Sequence, residues 1–196
     1  NTNQIEIIKH ISKSLPIGYR LYVKEHPVQV TREWRKISFY KDVLSIPNVE
    51  FLHHSVKTSD ILKKCSLVIT INGAAGLEAA IHRKPSILFS DFSYSILPSV
   101  HQLKSIDELP TAIRSSLQKK VDPTDVSKYL NLLEANTFNF DMFGYDLDYH
   151  NYFYHSGNLI DTDISEEKVR QFIKKHESSF DTVANEFIKK INYFEK

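Results

Sequence analysis

Apolar residues along this chain fall into short blocks whose spacing switches between helical and extended. Ile5, Ile8, Ile11 and Leu15 recur at helical spacing over residues 4–14, and Pro16 with Gly18 ends that element. Tyr19 to Glu25 reads as a strand closed by Pro27. Thr31 reads as the cap of a helix through Trp34, Ile37, Tyr40, Val43 and Leu44. Val49 to Leu52 predicts a short strand and Thr58 to Lys64 a short helix. Leu67 to Ile71 predicts a central strand, Gly76 to His82 its helix, and Ser86 to Phe89 the next strand. A loop rich in Ser, Tyr and Pro then leads to a helix over residues 107–119. The strands are continuous apolar runs rather than alternations, as in parallel sheets covered on both faces. Strands alternating with helices over residues 19–119 therefore predict an α/β fold, a Rossmann-like parallel sheet with helices on both faces.

The rhythm breaks near residue 136, which divides the chain into a Rossmann-like domain at 1–135 and a tail at 136–196. Residues 136–160 crowd Phe138, Phe140, Phe143, Tyr145, Tyr149, Tyr152, Phe153 and Tyr154 together with no clean period, which predicts an irregular packed loop. Asp163 and Glu166 suggest a capping box for a closing amphipathic helix. Its stripe is Val169, Phe172, Ile173, Phe180, Val183, Phe187, Ile188 and Ile191. The tail is expected to pack on the first domain. Its aromatics suit ordinary core packing and a surface for another half equally.

Candidate chemistry concentrates at two strand ends. Val68 to Ile71 runs into Asn72-Gly73-Ala74-Ala75-Gly76 and then a helix bearing Glu78. A helix start exposes N–H groups without helical partners and carries partial positive charge, and small residues let an anion approach the backbone. The other end is Tyr22-Val23-Lys24-Glu25-His26-Pro27. Alternation puts Tyr22, Lys24 and His26 on one side and Val23 with Glu25 on the other. Ligands of open parallel sheets bind at the carboxyl ends of strands, so Lys24 and His26 converge where a phosphate would be met. Plainer readings stand beside these. A strand ends in polar residues when it reaches water, small residues mark close helix–strand packing, and Glu78 complements a helix dipole.

Charge and composition narrow the field. Net charge is +1, with 41% hydrophobic and 25% charged residues, so no global field calls for nucleic acid. A single cysteine, Cys65, fits a reducing compartment and packs as a small hydrophobe. No apolar run approaches the roughly 18–20 residues of a membrane span. Neither a P-loop nor a G-x-S-x-G elbow occurs. Asp146-Leu147-Asp148 and Asp161-Thr162-Asp163 fit a D-x-D pattern, yet they lie in the tail, away from any strand end. His53 with His54 and His150 with His155 make no zinc set, and adjacent His53 and His54 would point to opposite sides of a strand. No metal site is expected.

The runs VKEHP, IPNVEFL, SDILKKCSLVITINGAAGLEAAIHRKPSILFSDFSY and LPSV occur in this order. Together, over residues 19–120, they resemble the donor-binding half of bacterial capsule and surface-polysaccharide glycosyltransferases, similar to Kdo-transferase-like enzymes of the GT-B architecture. The resemblance implies that His26, with Lys24 beside it, meets the donor phosphate and performs the catalytic work. It implies that Asn72, Gly73, Ala74, Ala75 and Gly76 cradle that phosphate and that Glu78 holds the ribose. Lys84-Pro85 and Tyr94 are implied to border the same cleft. Where the family often has Ser or Thr in the turn, this chain has Gly73-Ala74-Ala75, leaving the backbone N–H groups to bind.

The resemblance further implies a CMP- or UDP-linked sugar as donor substrate and no separate cofactor. It implies a saccharide or glycolipid acceptor held by an N-terminal half, and no nucleic-acid partner. It points to a cytoplasmic location, with the parent protein associated peripherally with the inner face of the plasma membrane. The chain begins Asn1-Thr2-Asn3 without methionine, and is expected to be a C-terminal piece that binds nucleotide but transfers little sugar alone. Two rival expectations are a UDP-sugar 2-epimerase-like domain and a non-catalytic nucleotide-sugar-binding or scaffolding module.

Overall fold

The helical spacing at the start of the chain becomes α1 (Gln4–Ser14). The Asn3 side chain caps it, accepting the N–H groups of Ile5 and Glu6 at 3.1 and 3.4 Å. The structure, a computed structural model, describes residues 3–26, 35–154 and 163–195. Pro27, Thr31, Trp34, His155 and the Asp161-Thr162 part of the second D-x-D lie outside the described residues.

Five short strands are present among the described residues, all paired in parallel. β1 (Leu21–Lys24) pairs with β2 (Val49–Leu52), Leu21 opposite Val49 and Lys24 opposite Leu52. β3 (Val68–Thr70), β4 (Ser86–Leu88) and β5 (Val100–Gln102) form a second sheet in that order. The expected single sheet is thus two. Parallel pairing requires crossovers, which are supplied by α2 (Ile37–Leu44) between β1 and β2 and by α4 (Ala75–Ile81) between β3 and β4. α3 (Thr58–Lys64) joins the two sheets in sequence, and α5 (Leu109–Leu117) follows β5.

β4, rather than the Leu67–Ile71 stretch, is the middle strand of its sheet, and all three of its residues are buried. Ile87 packs with Ile11, Leu109 and Ile113, whereas the Ser86 hydroxyl turns towards the Gly76 carbonyl at 3.4 Å. A strand buried on both faces is why this segment reads as a continuous apolar run. A second cluster joins Ile8, Val43, Ile46 and Val49. α1 contributes Ile8 to one cluster and Ile11 to the other, and Leu21 of β1 packs against both.

Several expectations are corrected. β5 replaces part of the Ser/Tyr/Pro-rich loop, which also forms a 3-10 turn at Ser93–Ile96. α6 (Pro123–Asn136) was not expected. In α2, Ile37 and Leu44 are exposed, and among the described residues of the expected stripe Val43 alone is fully buried. The chain divides by contact into two compact units, Asn1–Leu132 and Leu133–Lys196.

In the second unit the aromatic segment is largely α7 (Met142–Phe153), not an irregular loop. Tyr145, Tyr149 and Phe153 lie four residues apart on one helix face, and all three rings meet Phe172 at centroid distances of 5.6, 6.1 and 5.0 Å. Phe172 belongs to α8 (Glu166–Lys175), followed by α9 (Glu177–Phe194), so the single closing helix is two. Ser165 caps α8 by accepting the Lys168 N–H at 3.3 Å, in place of the expected Asp163. Only part of the expected stripe is covered: Phe172 is buried, while Phe187, Ile188 and Ile191 are more than half exposed.

Candidate functional site

β3 ends at Thr70 and the chain turns through Asn72-Gly73-Ala74 into α4. Gly73 has φ +129°, a conformation glycine adopts freely and L side chains rarely do. Ala74 precedes the helix without a side-chain cap, and the Glu78 N–H closes the first turn on the Ala74 carbonyl at 3.0 Å. Two further bonds tie this turn to the exit of β4. The Ser90 hydroxyl donates to the Ile71 carbonyl at 2.7 Å and the Phe89 N–H to the Thr70 carbonyl at 3.2 Å.

Tyr94 stands under the turn. It is only 1% exposed, and its hydroxyl donates to the Gly73 carbonyl. Burial, the largest cause, pushes its phenol pKa up, and the Gly76 backbone beside it partly offsets the shift. A Cβ on Gly76 would meet Tyr94 Cε2 at 2.7 Å and its hydroxyl at 2.8 Å. Glycine at 76 is therefore the space the ring occupies. Asn72, Ala74 and Glu78 are exposed along the turn, Gly73 and Ala75 are half-buried, and Gly76 is buried.

At the end of β1, Lys24 is half-buried and its Nζ reaches the Glu25 carbonyl at 3.5 Å, while His26 is exposed. Glu25, one residue past the end of β1, turns its carboxylate to Arg35 and to Tyr40 of α2. Arg35 Nε donates to Glu25 Oε1 at 2.5 Å, and the Tyr40 hydroxyl donates to Oε2 at 2.9 Å. Arg35 also donates from Nη2 to Gln4 Oε1 at 2.8 Å, and its guanidinium lies 4.3 Å from the Phe39 ring centre. Burial, and then the bond to Glu25, pushes the Tyr40 phenol up. Arg35 and Tyr40 were missed in the sequence. The available signal was an acidic residue placed on the strand face that a following helix covers.

The expected site residues thus sit at the carboxyl ends of two parallel strands, Lys24 and His26 after one sheet and Asn72 to Glu78 after the other. Lys84 and Pro85 do not border that region. They lead into β4 at its amino end, where the Pro85 carbonyl accepts the Val68 N–H at 3.1 Å and Lys84 acts on the Cys65 thiol. His53 and His54 lie past the end of β2, so strand alternation does not separate them, and their rings are 4.1 Å apart. Asp146 and Asp148 lie on α7, where Asp148 pairs with Lys175 at 2.7 Å. Among the described residues no group of three or more His, Cys, Asp or Glu is placed to hold a metal ion. No helix among them is long and apolar enough to cross a membrane.

Comparison with known proteins bears on the segment that carries both strand ends. A comparison with curated proteins found no match. A solved structure described as "Crystal Structure Analysis of the Glycotransferase of kitacinnamycin" is 14% identical with a TM-score of 0.42, over 69% of this chain and 36% of that one. The chain therefore spans little more than a third of that protein's length. The family model described as capsule polysaccharide biosynthesis protein matches residues 2–121, which is more than half of the chain and includes Lys24, His26 and the whole Asn72–Glu78 turn. On that match the chain belongs to the capsule polysaccharide biosynthesis protein family.

Proposed function

We propose that this chain is the donor-binding, C-terminal half of a GT-B glycosyltransferase acting in capsular or surface polysaccharide biosynthesis. The observation that carries the reading is the placement, inside the family-matched segment, of two anion-suited groups at carboxyl ends of parallel strands. Lys24 supplies fixed positive charge. His26 donates to a phosphate oxygen, or protonates it as the nucleotide departs. The Asn72–Gly76 turn offers backbone N–H groups, and exposed Glu78 accepts from ribose hydroxyls. Helix α4 is short, so its dipole acts through the first turn only and the cationic side chains carry most of the stabilisation. Tyr94 serves this site from below by holding the turn.

The substrate of this reading is a CMP- or UDP-linked sugar, transferred to a saccharide or glycolipid held by an N-terminal half, on the cytoplasmic side. The test is calorimetric titration of the chain with CMP, UDP, GDP and ADP, repeated on His26→Ala and Lys24→Ala. Selective binding of one nucleotide, weakened at least tenfold by either substitution, supports the reading. A folded chain that binds none of the four refutes the site.

A further inference from the structure

We infer that Glu25 is a positioning residue for the β1 exit: its carboxylate, gripped by Arg35 and Tyr40, sets where Lys24 and His26 stand. The inference rests on the donor-site reading above, which assigns roles to Lys24 and His26 and none to Glu25. Glu25 is the residue between them in sequence, and its side chain is 14% exposed. Each of its carboxylate oxygens has its own donor, Arg35 Nε on Oε1 at 2.5 Å and the Tyr40 hydroxyl on Oε2 at 2.9 Å. A carboxylate held at both oxygens is restrained from rotating, which limits the backbone that carries it. That backbone is the one from which Lys24 and His26 project.

Electrostatics requires the same arrangement. An uncompensated carboxylate beside Lys24 would cancel the ammonium and repel a phosphate. Arg35 neutralises it, and its guanidinium also donates from Nη2 to Gln4 and lies over the Phe39 ring. Lys24, Glu25 and Arg35 together leave one net positive charge, directed to the ligand side through Lys24. Arg35 acts as Glu25's counter-ion.

The test uses the full chain with CMP and UDP as probes, and the His26 Cε1–Hε1 NMR signal of the nucleotide-free protein. Glu25→Ala and Arg35→Ala should each weaken binding about tenfold, and the double variant should be no weaker than either, because both remove one grip. Glu25→Gln, which keeps a two-point hold, should stay within about threefold of wild type. Tyr40→Phe, the gentlest change, should cost about threefold and still move the His26 signal. Losses that add in the double variant, or a Glu25→Gln loss equal to that of Glu25→Ala, would overturn the inference. If the wild-type chain binds neither nucleotide, the donor reading fails by itself. The His26 signal then decides the present inference: a shift in Arg35→Ala and Tyr40→Phe supports it, and an unchanged signal in both folded variants overturns it.

Discussion

Gly76→Ala tests the packing on which the turn depends. In an ordinary helix this change would stabilise, by up to about 1 kcal/mol, because alanine has the better helix propensity. Here the new Cβ falls 2.7 Å from Tyr94 Cε2 and 2.8 Å from its hydroxyl. The ring is 1% exposed and has no solvent to swing into. Forcing a methyl group into a packed site costs about 1–3 kcal/mol. Shifting the phenol also loses its bond to the Gly73 carbonyl, worth about 1 kcal/mol. The losses exceed the propensity gain, leaving a net destabilisation of about 1–3 kcal/mol. For a unit of this size that lowers Tm by roughly 3–5 °C per kcal/mol. Urea unfolding of Gly76→Ala, Tyr94→Leu and the double variant measures it. Leucine has no atom at the Cε2 or hydroxyl positions, so the double variant should recover about 1 kcal/mol or more relative to additivity. A neutral or stabilising Gly76→Ala, or additive losses, would refute the reasoning.

Three further outcomes are expected. Ile87→Ala, at a fully buried side chain between α1 and α5, should cost about 2–5 kcal/mol in denaturant unfolding, and a cost under about 1 kcal/mol would contradict the core assignment. Lys175, through its hydrogen bond, holds the Asp148 carboxyl below its usual range. A depressed carboxylate adds stability at neutral pH that is lost as pH falls below about 4, so Asp148→Asn should lower Tm at pH 7 and flatten the acid limb. An acid limb identical to wild type would count against the pair. Burial pushes the Cys65 thiol up, so less of it is thiolate at a given pH. Its alkylation by iodoacetamide at pH 8 should therefore run slower than that of free cysteine, and an equal or faster rate would show the thiol to be unshifted.

What could be read from the chain beforehand was what depends on local pattern. Val49 to Leu52 and Thr58 to Lys64 form the expected elements because their apolar spacing and flanking turns are short-range signals. Gly73 takes a positive φ within the turn that the run of small residues predicts. The rest depends on contacts distant in sequence. β5 has only Val100 as an apolar residue, between Ser99 and His101, and becomes a strand because β4 offers it a partner. The period of α7 is present in Tyr145, Tyr149 and Phe153, but aromatics on the neighbouring positions hide it until Phe172 selects one face. Tyr94 matched a position expected at the cleft, and only its contact with Gly76 reveals a support beneath the turn. The grip of Arg35 and Tyr40 on Glu25 spans a gap in sequence that no spacing rule covers.

The central claim is that the exits of β1 and β3 serve one nucleotide. Isotope-labelled chain titrated with CMP and, separately, UDP, followed by backbone and histidine NMR, tests it directly. The account predicts saturable shifts at Lys24, His26 and Gly73 to Glu78 that share a single dissociation constant, and that vanish together in His26→Ala. Shifts confined to one strand end, or a folded protein whose spectrum neither nucleotide changes, would contradict it.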